Sequence, residues 1–188
     1  MNRRAFIFQD IKLICPKPGL RQFLLLYWQL PTFKVLFWFR LIQYKIMSNH
    51  RMGLRILRIK YNTLCNKYMC TLPIETTVGE GLVFPHGFPI VINSKARIGK
   101  NVIIHPCVLI GRDRGKEGAP VIGDCCFIGH GVKIIGNPVI GEYCFISPGA
   151  VVTKNIPSNT LVGAGVNNIL NSTGRDHYLQ YRVTGGEK

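Results

Sequence analysis

Residues 120–152 read PVIGDCCFIGHGVKIIGNPVIGEYCFISPGAVV, and within them Ile122, Ile128, Ile134, Ile140, Ile146 and Val152 fall six residues apart. Upstream, Ile98, Ile104 and Ile110 keep the same register across a twelve-residue step. Glycine follows several of them, at Gly99, Gly111, Gly123, Gly129 and Gly141. Four places after an aliphatic comes a small or branched residue: Val102, Val108, Cys126, Val132, Pro138, Cys144 or Ala150. A period of six fits neither helix nor strand alternation. Three such hexads make one triangular coil whose faces are short parallel strands, with each aliphatic pointing inward onto its counterpart a coil away. The expected fold is therefore mainly β, a parallel β-helix of hexapeptide repeats, with corner glycines supplying φ > 0. Val78-Gly79, Phe84 and Ile90 carry the rhythm upstream, and a two-residue offset before Ile98 predicts a bulged corner at 92–97. Residues 112–119 are charged and offer no inward aliphatic, so they must leave the coil as a loop, where binding chemistry tends to sit.

The first part of the 188-residue chain is of another kind. Leu54, Leu57, Tyr61 and Leu64 share one helical face and Arg51, Arg55 and Arg58 another, while Pro16, Pro18, Gly19 and Pro31 divide the region into short helices. The aromatic run 33–39 reads as a helix packed on the rest of the protein or on a neighbouring subunit. Three regions follow: a basic, aromatic-rich helical segment at 1–71, the β-helix at 72–170 with its loop at 112–119, and a C-terminal tail at 171–188. Lys and Arg number 24 against 9 Asp and Glu, a formal charge of +15. Residues 1–70 hold thirteen of those cations and a single acid, Asp10. Such a balance points to a polyanion, an anionic membrane or a phosphorylated substrate. No nucleic-acid partner is expected, because no helix-turn-helix, zinc-finger or RNA-platform motif accompanies the charge. A hydrophobic content of 47% excludes wholesale disorder. The apolar stretch 23–44 is broken by Gln29, Pro31, Lys34, Arg40 and Gln43, short of the roughly 18–20 apolar residues that a spanning helix needs. Seven cysteines without a C-x-x-C pair, and no secretory signal, read as free thiols in a reducing cytoplasm. Cys126 and Cys144 fall in inward slots and read as core.

Several motifs together carry a resemblance. Gly79-x-Gly81 with His86, Ile90-Val-Ile-Asn93, Ala96-x-Ile-Gly-x-Asn101, Val108-x-Ile-Gly111, Pro120-x-Ile-Gly-Asp124 and Gly149-Ala-Val-Val-Thr-Lys-Asn-Ile-Pro157 span residues 72–166 with their flanks. The chain there resembles the serine-acetyltransferase-like branch of the left-handed β-helix acyltransferases. That resemblance implies acetyl-CoA as donor, no metal, a homotrimer or a dimer of trimers, and a donor groove between adjacent β-helices. It implies His86 as general base, a role suited to an imidazole whose ordinary pKa is about 6.5. It further implies that Gly111, Gly129, His130, Gly131, Ser147, Pro148 and Gly149 line the donor groove.

Departures from the branch redirect the acceptor. Thr71 stands where the serine enzymes carry an acid fifteen positions before the catalytic histidine, leaving Glu75 or a backbone carbonyl to orient His86. Gly118 and Ala119 precede Pro120 where those enzymes place an Arg-His pair, leaving Arg112 or Arg114 to reach the acceptor. The layout is more similar to the short exopolysaccharide O-acetyltransferases of the colanic-acid type, which also have a brief basic N-terminal helical segment. The expected function is thus acetyl transfer to a sugar hydroxyl in polysaccharide biosynthesis, in the cytoplasm or peripherally at the inner membrane face, where the basic segment meets anionic lipid. Serine O-acetyltransferase activity is the alternative. A zinc site of the carbonic-anhydrase-like β-helices, drawn from His86, His105 and His130, lacks the His-x4-His spacing of that group. A non-catalytic trimeric scaffold would explain the repeat but not His86 within its motif.

Overall fold

The computed structural model describes residues 3–14, 19–49, 52–87, 89–113, 115 and 117–184; Pro16, Pro18, Arg51 and Arg114 lie outside the described residues. From Cys70 to Val166 the chain winds as a parallel β-solenoid with three sheets. On one sheet Ile92, Ile110 and Ile134 stand level with one another. On the second the column is Ile98, Ile122 and Ile140, and on the third Ile104, Ile128, Ile146 and Val162. None of these side chains is more than 3% exposed. Burying each is worth about 1.5–3 kcal/mol, so the six-residue period is itself the core. Cys126 and Cys144 are buried within the coil, as their slots predict.

The structure corrects two expectations. The glycines after the isoleucines are not the left-handed corners, which fall two residues later on Asn101, Cys125 and Tyr143. They are glycines because the coils approach too closely: a Cβ on Gly99 would lie 2.7 Å from the Gly123 carbonyl carbon, and one on Gly123 would lie 2.7 Å from that of Gly141. The bulged corner is also elsewhere. Val83 bridges Ile103, which sets Phe84 level with Ile104, whereas Ile92 is level with Ile110. The two extra residues therefore fall within 85–89, at the corner that carries His86, and 92–97 is regular.

Among the described residues four helices, α1 (Arg3–Ile14), α2 (Leu20–Gln29), α3 (Pro31–Met47) and α4 (Leu54–Lys67), precede the first coil. As expected, α3 buries Phe33, Val35, Leu36 and Phe39, and α4 turns Leu54, Leu57, Tyr61 and Leu64 inward with Arg55 and Arg58 exposed. A parallel coil leaves an open edge of backbone groups on its first turn, and the helices supply the partners. Asp10 accepts from the amides of Gly81 and Leu82 at 2.8 and 2.9 Å. Arg40 donates to Asp10 at 2.9 Å and to the carbonyls of Val78 and Gly79. Gln43 donates to Thr76 O at 3.1 Å, and the Tyr61 hydroxyl to Leu72 O.

A fifth helix, α5 (Gly174–Thr184), occupies most of the segment expected as a tail. It packs on the outer face of the third sheet, where Ile103, Phe127 and Phe145 form a ladder. Arg40→Met leaves Asp10 as an uncompensated buried charge and strips two edge carbonyls of their donor. It is expected to cost about 3–5 kcal/mol in denaturant unfolding, with Arg40→Lys recovering only part because it lacks the planar fork.

Candidate functional site

Four successive coils turn from the third sheet to the first at Gly87, Cys107, Gly131 and Gly149, all with left-handed φ of 96°, 62°, 71° and 74°. The amides of Cys107, Gly131 and Gly149 donate to Pro89 O, Pro106 O and His130 O, each a coil earlier, at 2.6, 3.0 and 2.9 Å. His86, Pro106, His130 and Pro148 therefore form a column up one edge of the solenoid, with coils about 4.8 Å apart. This edge gathers most of the expected site: His86, then Gly129, His130 and Gly131, then Ser147, Pro148 and Gly149.

The glycines of the edge differ in kind. A Cβ on Gly129 would lie 2.6 Å from Pro148 N, so packing alone demands glycine there. Gly131 and Gly149 have nothing within 4 Å of such an atom and leave the backbone open to an incoming molecule. Gly111 and exposed Arg112 are not part of the edge. They sit at the far end of strand Val108–Gly111, about 13 Å along it, where the loop 112–119 leaves the coil. Within one chain they do not join His86, and Arg114 lies outside the described residues.

Thr71 and Glu75 are both exposed, and the ring that stands against His86 is instead His105, with centroids 5.3 Å apart. His105 packs on Phe127 at 4.8 Å, and its Nε2 shares a hydrogen bond of 3.0 Å with the hydroxyl of Tyr181 on α5. Burial, then the neighbouring charges of His86 and His130, lower the His105 pKa to about 4. Burial also pushes the Tyr181 phenol up. Near neutral pH the pair is uncharged, so exposed His86 has a neutral ring behind it. Among the described residues no three His, Cys, Asp or Glu side chains converge as a metal-ligand set.

Sequence reading missed this pair. A signal was present, since Ile103, Phe127 and Phe145 occupy outward positions of one sheet and require a cover. Tyr178 and Tyr181 of α5 provide it, Tyr178 also donating to Asn101 O at 2.7 Å.

Comparison with known proteins bears on the fold. Residues 119–154 match the family described as bacterial transferase hexapeptide (six repeats). No curated protein matches the chain. Among solved structures, serine acetyltransferase from Neisseria gonorrhoeae in complex with serine superposes with a TM-score of 0.73 at 22% identity, covering 90% of this chain and 68% of that one. Soybean serine acetyltransferase gives 0.75 at 24%, covering 89% and 69%. The Brucella abortus strain S19 enzyme in complex with coenzyme A gives 0.72 at 24%, covering 89% and 67%. The fold is theirs.

The buried, neutral His105 couples stability to pH. Below about 6.5 the unfolded chain binds a proton on this residue that the folded chain refuses until about 4, so stability falls as pH drops through that window and levels off beneath it. After allowance for solvent screening of a half-exposed ring, the fall is on the order of 1 kcal/mol. Urea unfolding from pH 7 to 4 should show it, and His105→Gln should flatten it.

Proposed function

We propose that the chain transfers an acetyl group from acetyl-CoA to a hydroxyl, with His86 as general base. The observation that carries the reading is the edge itself: an exposed imidazole on an extruded corner, continuous with the open backbone of Gly131 and Gly149. His86 takes the proton of the acceptor hydroxyl as its oxygen attacks the thioester carbonyl, and it returns that proton to the departing thiolate. The tetrahedral oxyanion calls for a donor outside this ladder, since the amides of Cys107, Gly131 and Gly149 already serve the neighbouring coil. The donor lies along Gly129–Gly131 and Ser147–Gly149, in a groove closed by a neighbouring copy of a homotrimer. Val91 and Val139, on the outer faces of the other two sheets, are 43% and 49% exposed in the single chain and would be covered in such an assembly. The trimer also bears on the loop, since a neighbour's Arg112 would reach an edge that its own chain's cannot.

The acceptor we favour is a sugar hydroxyl, as in polysaccharide acetylation. Gly118 and Ala119 offer no side-chain cation for a carboxylate where the loop re-enters the coil. L-serine is the second reading, favoured by the fold neighbours, one of which is a serine complex. Thiol release from acetyl-CoA should saturate with an acetylatable sugar and fall by about two orders of magnitude in His86→Ala, while the thermal midpoint holds. Saturable release with serine and not with sugars would reverse the acceptor. Undiminished turnover in His86→Ala would remove the base.

A further inference from the structure

The aromatic run at 33–39 lies largely in the core, whereas α2 presents an exposed apolar surface. Leu20, Leu24, Leu25 and Trp28 are 77%, 48%, 45% and 73% exposed, and exposed Arg21 lies among them on the same face. The opposite face of α2 is anchored: Phe23 meets Phe33 and Phe37 of α3 at 5.7 and 5.6 Å, and Tyr27 meets Phe37 at 5.4 Å. A fixed helix thus presents a bulky apolar stripe outward, and ten residues are too few to span a bilayer.

We propose that this face of α2 docks on the surface of an anionic lipid bilayer, its leucines and Trp28 entering the headgroup–acyl boundary. Charge selects the partner. The only acid in residues 1–70, Asp10, is 1% exposed and consumed by Arg40, so this region contributes cations and no exposed acid of its own to the surface. Lys12, Arg21, Arg55, Arg58, Lys60 and Lys67 are all exposed. A second copy seated here would bring Arg21 and Lys34, whose Nζ lies 5.3 Å from the Trp28 ring, against like charges, whereas an anionic leaflet attracts cations by about 1 kcal/mol for each one near the surface. Shallow insertion of an amphipathic helix adds the apolar term. The proposal does not depend on the acetyl-transfer reading.

The test is flotation of the full-length protein with vesicles of phosphatidylcholine, alone or with one quarter phosphatidylglycerol. Binding is expected to the anionic vesicles only, to weaken with salt, and to fall by at least about tenfold in Leu24→Glu/Trp28→Glu. Tryptophan emission should shift to the blue on binding, and Trp28→Phe should abolish that shift. Absence of binding at low salt, or undiminished binding by the double variant, would overturn the proposal. So would a smaller assembly of that variant in sedimentation without vesicles, which would assign the face to contact between copies.

Discussion

In a parallel solenoid every coil must answer the backbone N–H and C=O groups of the coil beside it, at a spacing of about 4.8 Å, and the other features of this molecule follow from that demand. It aligns Ile98, Ile122 and Ile140, and with them the other two inward columns, because hydrogen-bonded strands in register place equivalent side chains on top of one another. It excludes a Cβ from Gly99 and Gly123, where one backbone rests on the next. It also creates an open edge at the first coil, and the Asp10–Arg40 pair with Gln43 and Tyr61 closes that edge. The buried ion pair is therefore better understood as the cap of a hydrogen-bond ladder than as an isolated source of stability.

The candidate site lies where the eighteen-residue coil is interrupted. Two residues inserted within 85–89 push a corner outward and expose His86 on it. Six more, within 112–119, form the loop at the next corner. Regular coils between and above them supply a rigid edge whose left-handed positions, Gly131 and Gly149, present open backbone. α5 completes the arrangement from outside by setting Tyr181 against His105, so the imidazole neighbouring His86 is held neutral and in place.

The solenoid was legible in the sequence because its signal is a strict period, repeated in one register from Ile98 to Val152. The capping helices were legible by face, since Leu54, Leu57, Tyr61 and Leu64 repeat at helical spacing. What escaped were contacts that depend on the third dimension. The two-residue offset could be counted but not positioned, because Ile90 and Ile92 are both apolar and both point inward, and only pairing with Val108 and Ile110 decides the register. The role of the glycines was misread because a close approach and a left-handed corner favour the same residue. His105 and Tyr181 are 76 residues apart and meet only when α5 folds back on the third sheet.

The edge from His86 to Gly149 as a donor groove is the central claim, and amide hydrogen exchange with and without coenzyme A tests it most directly. Slowed exchange in segments containing Gly129–Gly131 and Ser147–Gly149, with sheet centres unchanged, is the predicted result. Protection that spares these segments, or none at saturating coenzyme A, would contradict it.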